Sequence, residues 1–305
     1  MTRFLRPGKR QVKHMRPREL RTKIFLDGGN PFETWDIISR LGFLDGQTTN
    51  PTLISKNPDA AERLRRGERF SGDEVMAFYR HVVKEISGLI PEGSVSIEVY
   101  ADRSTPAESM LAQARDMFGW IPNGHIKFPV NREGLKAAAR AVKERMRVNM
   151  TLCFSQEQAA AVYAATAGAR RGTVYVSPFV GRLDDRGVNG MDLIGNILTM
   201  YGAGDGHVQV LTASVRKLEH LLEAIRLGSD IVTAPYEVLK AWADGGMAMP
   251  GPDFRYPVEN LAPIPYREID IRRPWETYDI RHELTDKGME RFSADWNGLI
   301  TKRAA

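Results

Sequence analysis

The stretch 125–151, HIKFPVNREGLKAAARAVKERMRVNMT, places one amphipathic helix between two short apolar strands. We predict the strands at His125–Phe128 and Arg147–Thr151, because both are short apolar runs interrupted by single polar residues. Between them, Asn131 is placed to cap a helix. The apolar positions of this helix recur at helical spacing and are Leu135, Ala138, Val142 and Met146. A strand, a helix and a second strand are the unit from which parallel sheets are built.

The same alternation extends in both directions from this unit. The eight predicted strands are Thr22–Asp27, Phe43–Thr48, Val95–Val99, His125–Phe128, Arg147–Thr151, Val174–Ser177, Val208–Thr212 and Asp230–Thr233. Further helical patterns lie at 73–90, 105–118, 155–168, 190–201 and 215–227. Eight strands that each precede a helix predict an α/β fold, a closed (β/α)8 TIM barrel.

An open, doubly wound sheet is the alternative fold for this alternation. Such a sheet often binds a dinucleotide through a glycine-rich turn that follows a strand and begins a helix. The glycine-rich run at 202–206 has the wrong spacing and precedes a strand, so we interpret it as a turn.

The C-terminal part of the chain breaks the alternation. Residues 245–281 are rich in Gly, Met, Pro and charge without a clear period, which predicts an irregular surface excursion. A final amphipathic helix follows at 284–300. We expect it to pack across the barrel exterior, with a lid or a subunit contact as alternatives. Residues 22–305 then form a single catalytic domain.

The basic charge of the chain is concentrated in an N-terminal arm, residues 1–21. This arm contains eight Lys or Arg and one Glu, whereas the net charge of all 305 residues is +5. The arm could bind nucleic acid or another anionic surface. No nucleic-acid motif accompanies it, so we favour a solvated extension or one that docks in a homo-oligomer.

Composition excludes several other classes of protein. No run of 18 apolar residues is present, so no membrane span is expected. The N-terminus lacks the apolar region of a secretory signal, and Cys153 is the only cysteine, so we expect a cytoplasmic protein. The six histidines include no HxxxH pair, and we predict no metal site. His125 and Cys153 are expected to be buried packing residues.

Reactive side chains occur near the ends of the predicted strands, where barrel enzymes carry their active sites. The first strand ends in Asp27, and alternation places Glu98 and Lys127 on the inward faces of the third and fourth strands. The amides and hydroxyls expected at the same end are Thr48, Asn50, Asn149, Thr151, Ser177, Thr212 and Ser214. A desolvated lysine is a nucleophile for carbonyl carbon, so we favour catalysis over a structural ion pair.

Two arginines follow the sixth and seventh strands. Arg182 and Arg216 lie in loops where barrels commonly bind phosphate, and guanidinium groups offer bidentate donors for it. With Ser214 nearby, we favour an anion site over two surface salt bridges. A sulfonate would fit the same arginines.

At these residues the sequence resembles the transaldolase family of Schiff-base aldolases, which includes a fructose-6-phosphate aldolase branch. The matching segments are FLD at 25–27, LDGQTTNPTLI at 44–54, SIEV at 96–99, HIKFPV at 125–130, VNMTL at 148–152, VSPFVGRLDD at 176–185, TASVR at 212–216 and LTDKG at 284–288. The strings TTNP and SPFVGR are highly specific for this family. The sequence departs from the family pattern at Gly28-Gly29-Asn30, at Gln47 and at Tyr100-Ala101-Asp102.

The resemblance implies a role for each of these residues. Lys127 would form the Schiff base, and Asp27 would take the proton from the substrate C4 hydroxyl. Glu98 would act through a water molecule, with Thr151, in forming and dehydrating the carbinolamine. The residues implied to bind substrate hydroxyls and the enamine are Thr48, Asn50, Asn149 and Ser177. Arg182, Ser214 and Arg216 would bind the phosphate. No cofactor is needed, since the lysine supplies the electrophile.

Two positions favour group transfer over simple cleavage. The aldolase branch carries Gln where this chain has Glu98, and Tyr where it has Phe179, which we count among the substrate-binding residues. The resemblance therefore implies a transaldolase of the pentose phosphate pathway. Such an enzyme moves a dihydroxyacetone unit from fructose 6-phosphate or sedoheptulose 7-phosphate to an aldose phosphate. A fructose-6-phosphate aldolase, or a transaldolase for another anionic ketose, remains the alternative.

Overall fold

Eight parallel strands close into a barrel in the computed structural model, which describes residues 16–301. The strands are β1 Lys23–Asp27, β2 Gly46–Thr48, β3 Ser94–Glu98, β4 Gly124–Pro129, β5 Val148–Cys153, β6 Val174–Pro178, β7 Val208–Thr212 and β8 Ile231–Ala234. Each strand pairs with the next in chain order, and β8 pairs with β1. This confirms the predicted TIM barrel. Residues 1–15 of the basic arm lie outside the described part of the chain.

Helices cover the outside of the barrel and part of its C-terminal end. They are α1 Pro31–Leu41, α2 Pro51–Ser55, α3 Pro58–Arg65, α4 Gly72–Leu89, α5 Ala107–Phe118, α6 Arg132–Lys143, α7 Gln156–Ala165, α8 Val180–Asp184, α9 Gly190–Tyr201, α10 Leu218–Leu227, α11 Tyr236–Asp244 and α12 Glu283–Leu299. None of these helices within residues 16–301 is long and apolar enough to cross a membrane.

Local chemistry sets where several helices begin. The Asn131 side chain accepts a hydrogen bond from the Gly134 amide at 2.7 Å and caps α6, as its position in the sequence predicts. At α4, Ser71 and Glu74 form a reciprocal capping box. The interior faces of these helices pack on the barrel and bury a continuous apolar core.

The largest difference in strand length concerns β2, which is three residues rather than the predicted six. The backbone of Asp45 still bonds to Ile24 and Ser94 at 3.0 Å, but its side chain takes over one backbone partner just before the strand begins. One carboxylate oxygen of Asp45 accepts the Ile24 amide at 2.8 Å, and the same carboxylate pairs with Arg16 at 2.7 Å. β5 is longer than predicted and becomes irregular after Met150.

Residues 245–281 form an ordered strap over the outer helices. The Ile264 amide donates to Asp192 of α9 at 3.0 Å, and the Arg267 amide donates to Gln156 of α7 at 3.0 Å. The segment contains one short 3-10 helix, Trp275–Thr277. It thus runs across the barrel exterior before the chain enters α12.

The C-terminal helix lies over the C-terminal end of the barrel, so our expectation that it packs on the exterior was wrong. The Thr285 hydroxyl donates to the Leu152 carbonyl at the end of β5 at 2.9 Å. At the other end of α12, Asp295 accepts a hydrogen bond from Thr52 of α2. The period of the helix indicates a buried face, but does not specify which part of the barrel that face covers.

Candidate active site

A pocket of about 290 Å³ opens at the C-terminal end of the barrel, below α12. Ten of the twelve predicted site residues line it, namely Asp27, Thr48, Asn50, Lys127, Thr151, Ser177, Phe179, Arg182, Ser214 and Arg216. The other two, Glu98 and Asn149, lie directly behind this lining and contact it. The structure thus gathers residues from seven strands, or the loops that follow them, around one cavity.

Lys127 is buried in the wall of this pocket, with only 3% of its surface exposed. It is the fourth residue of β4, and strand alternation directs it inward between outward-facing Ile126 and Phe128. Its Nζ lies 3.0 Å from Oε2 of Glu98 and donates to the Thr49 carbonyl at 3.0 Å. An amine in this position is desolvated and fixed in direction, as a nucleophile requires.

Glu98 is the buried partner of this lysine. Burial raises the pKa of its carboxyl group, and the Lys127 charge opposes that shift. The Glu98 amide is also fixed, because it donates to the Tyr79 hydroxyl at 2.9 Å. A buried ion pair adds little net stability, since desolvation offsets most of the attraction. The pair therefore favours a chemical role for these side chains.

Asp27 ends β1 on the opposite side of the pocket. Burial raises the pKa of its carboxyl group, while the charge of Lys127 and a hydrogen bond from Thr48 lower it. The Thr48 hydroxyl lies 2.6 Å from Oδ1 of Asp27 and 2.6 Å from the hydroxyl of Thr233. Asp27 and Glu98 thus occupy different surroundings, which allows them to hold different protonation states.

A chain of amide and hydroxyl groups crosses the base of the pocket. Asn149 donates to the Ser96 hydroxyl at 3.0 Å and accepts from the Ser177 hydroxyl at 2.7 Å. The Thr151 hydroxyl is buried and has no hydrogen-bond partner within residues 16–301. Asn50 uses its side-chain oxygen to cap α2 at Leu53, which leaves its NH2 group available to a ligand.

The other end of the pocket is basic. The Arg182 guanidinium is half-buried between the rings of Phe179 and Phe292, at 5.3 and 5.5 Å from their centroids. Burial and the nearby Arg291 lower the pKa of Arg182 to about 10, so it stays protonated at neutral pH. Arg216 pairs with the exposed Asp185 at 3.1 Å. Two guanidinium groups around one cavity are suited to an anionic group on the ligand.

Gly181 allows the two basic loops to approach each other. Its amide donates to the Ser214 carbonyl at 3.1 Å, and a Cβ at this position would lie 2.2 Å from that carbonyl oxygen. The same Cβ would lie 2.5 Å from Cγ of Arg216. Only glycine fits between the loops without moving the backbone.

We therefore expect Gly181→Ala to lower the free energy of unfolding by about 1–3 kcal/mol, since the added methyl group overpacks this contact. The displaced Arg216 should also raise KM for an anionic substrate. Urea unfolding and steady-state kinetics measure both effects. Gly195→Ala in α9 is the matched control, because its Cβ would meet its nearest neighbour at 3.9 Å. Equal stabilities of the two variants would contradict the prediction.

Several residues of the pocket were not predicted from the sequence. Thr233 of β8, Lys56 after α2, and Arg291 and Phe292 of α12 all line it. The position of Thr233 could have been predicted, because it ends a predicted strand, as Thr48 and Ser177 do. The positions of Lys56 and Arg291 could not have been predicted in this way, since the segments that carry them were not expected at the mouth of the barrel.

Three of the residues considered in the sequence lie outside the pocket. Thr212 faces away from it and bonds to Ser229 at 2.9 Å, so its hydroxyl does not reach the mouth as expected. His125 is buried near the N-terminal end of the barrel, where Nδ1 bonds to Ser94 at 2.8 Å. Cys153 is buried as expected, and burial raises the pKa of its thiol to about 12.

Three of the departures from the family pattern, Gly28, Gly29 and Gln47, lie close together. The Gln47 side chain donates to the Gly28 carbonyl at 2.8 Å and accepts from the Thr34 hydroxyl at 2.7 Å. Gly29 packs against the backbone of Leu53, where a Cβ would lie 2.7 Å from the carbonyl oxygen. Gln47 thus bridges β2 to the loop after Asp27, so the unusual residues support each other.

Among residues 16–301, no group of three or more His, Cys, Asp or Glu side chains is arranged to hold a metal ion. The polar groups of the pocket are a lysine, two carboxylates, hydroxyls, amides and guanidinium groups. These groups are those of Schiff-base and acid–base chemistry on a polyhydroxylated anion.

Three curated proteins named as probable transaldolases are similar to this chain over most of its length. The chain is 37% identical to a probable transaldolase of Dehalococcoides mccartyi over 277 residues. This alignment covers 91% of this chain and 99% of that protein. A probable transaldolase of Brucella ovis is 37% identical over 90% of this chain and 96% of its own length. One from Paracoccus denitrificans is 35% identical over 85% of this chain and 89% of its own.

Among solved structures, 3-hexulose-6-phosphate synthase from Salmonella typhimurium covers 75% of this chain and 99% of its own, with a TM-score of 0.45 and 13% identity. Similarity at that level carries no functional information.

The model of the family described as transaldolase/fructose-6-phosphate aldolase matches residues 24–303. That span includes every residue of the pocket and confirms the resemblance carried by the TTNP and SPFVGR strings. This chain belongs to the transaldolase/fructose-6-phosphate aldolase family.

Proposed function

We propose that the protein transfers a dihydroxyacetone unit from a ketose phosphate to an aldose phosphate through a Schiff base on Lys127. The observation that carries this proposal is the position of Lys127. Its buried amine lies 3.0 Å from Glu98 and faces a pocket that has Asp27 on one side and the arginines at its far end. Neither a purely structural ion pair nor an inert barrel requires this set of groups.

The reaction begins at the lysine. The neutral amine of Lys127 attacks the C2 carbonyl carbon of the ketose and forms a carbinolamine. Glu98, through a water molecule and with Thr151, supplies the proton that lets the C2 oxygen leave as water, which produces the iminium. The Thr151 hydroxyl is buried, lines the pocket and has no partner among the described residues, so it is available for this step.

Asp27 then breaks the carbon chain. Its carboxylate takes the proton of the C4 hydroxyl, the C3–C4 bond breaks, and the electron pair moves into the iminium to form an enamine. The aldose phosphate leaves, and the enamine stays bound to Lys127. The hydroxyls and amides of the pocket hold it there, and they are Thr48, Asn50, Asn149 and Ser177. Attack of the enamine on the carbonyl of a second aldose reverses these steps, and hydrolysis of the new iminium restores the lysine.

The phosphate of each sugar binds at the basic end of the pocket. Arg182 remains charged there, and Arg216 and Ser214 approach from the loop after β7. The aldose phosphate released from the donor and the accepting aldose phosphate use this site in turn, because each reacts at its C1 aldehyde carbon, which is the carbon farthest from its phosphate. The proposed substrates are fructose 6-phosphate and sedoheptulose 7-phosphate, which places the enzyme in the pentose phosphate pathway of the cytoplasm.

Transfer is proposed over cleavage because of two side chains. Glu98 is buried beside the lysine, and Phe179 presents an apolar ring beside Arg182 where the aldolase branch has a hydroxyl. Fructose-6-phosphate aldolase activity is the second candidate, since it uses the same lysine chemistry.

The experiment that tests the proposal supplies fructose 6-phosphate with or without erythrose 4-phosphate. We expect sedoheptulose 7-phosphate, and more than one glyceraldehyde 3-phosphate per active site, to appear only when the acceptor is present, as measured by mass spectrometry of the sugar phosphates. Without the acceptor, at most one dihydroxyacetone unit per active site should be consumed. Free dihydroxyacetone produced at a rate that matches transfer would show that the enzyme is an aldolase.

A further inference from the structure

A chain of three side chains joins the strap 245–281 to the loop that carries Arg216. Oδ2 of Asp184 accepts hydrogen bonds from Nε2 of His220, at 2.9 Å, and from the hydroxyl of Tyr256 in the strap. Nδ1 of His220 in turn accepts the backbone N–H of Arg216 at 3.0 Å. A neutral histidine with its proton on Nε2 satisfies both bonds, so one tautomer fixes the whole chain.

These three side chains are packed as well as hydrogen-bonded. His220 is 1% exposed, and its ring stacks on that of Tyr256 with the centroids 5.5 Å apart. Although burial opposes the shift, hydrogen bonds from His220 and Tyr256 lower the pKa of Asp184. The carboxylate is therefore ionised at neutral pH, and hydrogen bonds to an ionised acceptor are the stronger kind.

The loop that they hold, residues 213–217, has a strained backbone. Ser214 has a φ of 59°, a left-handed conformation that residues other than glycine adopt rarely. Among residues 16–301, Arg216 forms a side-chain ion pair only with Asp185, and both side chains are at least half exposed, so this pair fixes little. The backbone of the loop thus determines where the Arg216 side chain points, and His220 holds that backbone.

We infer that Tyr256 is a positioning residue for the anion-binding loop 213–217, acting through Asp184 and His220 on Arg216. Tyr256 is not part of the pocket lining, and it comes from a segment outside the strand–helix repeats. The strap then contributes to affinity for the phosphorylated end of the substrate. This inference rests on the proposed function, which assigns that end to Arg216.

The test removes the hydroxyl alone. Tyr256→Phe keeps the ring that stacks on His220 and the ring face under the Lys217 ammonium, which lies 4.9 Å from its centroid. We expect KM for fructose 6-phosphate to rise about 3- to 10-fold, which is less than the full effect of losing a hydrogen bond to a charged group, because the lost bond acts on Arg216 only through Asp184 and His220. The kcat for this substrate should change less than twofold. Unphosphorylated fructose lacks the group that Arg216 binds, so the preference for the phosphorylated sugar should fall by the same factor.

Two further variants make the outcome decisive. Tyr278→Phe is the matched control, because that tyrosine is also buried in the strap but donates to the Asp270 carbonyl at 2.5 Å instead. An equal rise in KM in both variants, or equal losses with both sugars, would overturn the inference. Arg216→Ala distinguishes a failure of the positioning role of Tyr256 from a failure of the proposed function. If Arg216→Ala raises KM and Tyr256→Phe does not, only the positioning role is wrong. If neither variant raises KM, the assignment of phosphate to Arg216 fails as well.

Discussion

Lys127→Met is expected to abolish turnover of fructose 6-phosphate, with kcat/KM lower by about four orders of magnitude or more. Methionine has nearly the length of lysine but no amine, so no iminium forms and the C3–C4 bond has no electron sink. The variant should still fold. Glu98 loses its counter-charge, but burial already raises the pKa of this carboxyl group, which allows it to bind a proton instead of remaining a buried unpaired charge.

Borohydride trapping gives this prediction its direct readout. In the unaltered protein, reduction in the presence of fructose 6-phosphate should add the mass of a dihydroxyacetone unit to the tryptic peptide that contains Lys127. Lys127→Met should show no such mass. Lys56 is the other lysine that lines the pocket among the described residues, and its side chain is exposed. An adduct on the Lys56 peptide, or full activity of Lys127→Met, would show that the assignment of the nucleophile is wrong.

The inward position of Lys127 was predictable from the sequence, but its surroundings were predictable only in part. A period of two places Lys127 and Glu98 on the inner faces of adjacent parallel strands, and parallel register then brings them together. The carbonyl of Thr49 that completes the amine's environment was not predictable. It belongs to the residue that follows β2, and its direction depends on where that strand ends.

Residues on α12 show the limit of sequence periodicity more clearly. The helix itself was predicted within one residue at each end, whereas its contacts were not. An amphipathic pattern specifies the buried face of a helix, but the partner of that face depends on the path of the preceding chain. The strap 245–281 determines that path through backbone hydrogen bonds, such as that between the Asn189 amide and the Ala262 carbonyl at 2.8 Å. Such bonds leave no side-chain signature in the sequence.

Asp27→Asn is expected to lower kcat by about 10²- to 10⁴-fold, the usual contribution of a general base, without preventing Schiff-base formation. The amide keeps the size of the carboxyl group and can still accept the hydrogen bond from Thr48, but it cannot take the C4 hydroxyl proton. Glu98 and Thr151 remain to assist dehydration on the other side of the lysine. Borohydride should therefore trap the intact six-carbon ketose on Lys127, not the three-carbon unit.

The mass of the trapped adduct identifies the blocked step. A six-carbon adduct with slow turnover means that the iminium forms and the C3–C4 bond does not break. A three-carbon adduct would show that another group removes the proton, and the assignment of Asp27 would be wrong. The absence of any adduct would mean that Asp27 acts earlier, in the formation of the Schiff base.

Thr48→Val provides the comparison variant, because it keeps the Asp27 carboxylate and removes the hydroxyl that bonds to it, which is also one of the groups proposed to hold the enamine. Cleavage requires ionised Asp27, so kcat should fall as the pH drops through the pKa of this group, which burial raises above its ordinary value of 3.8. The Thr48 hydroxyl donates to the carboxylate at 2.6 Å and lowers that pKa. Its removal should shift the acidic limb of the pH–rate profile to higher pH, while kcat on the plateau falls far less than in Asp27→Asn. If the acidic limb stays in place, a group other than Asp27 controls it. If the limb moves to lower pH, the hydrogen bond from Thr48 stabilises the protonated form, and Asp27 is not the ionised base at the cleavage step.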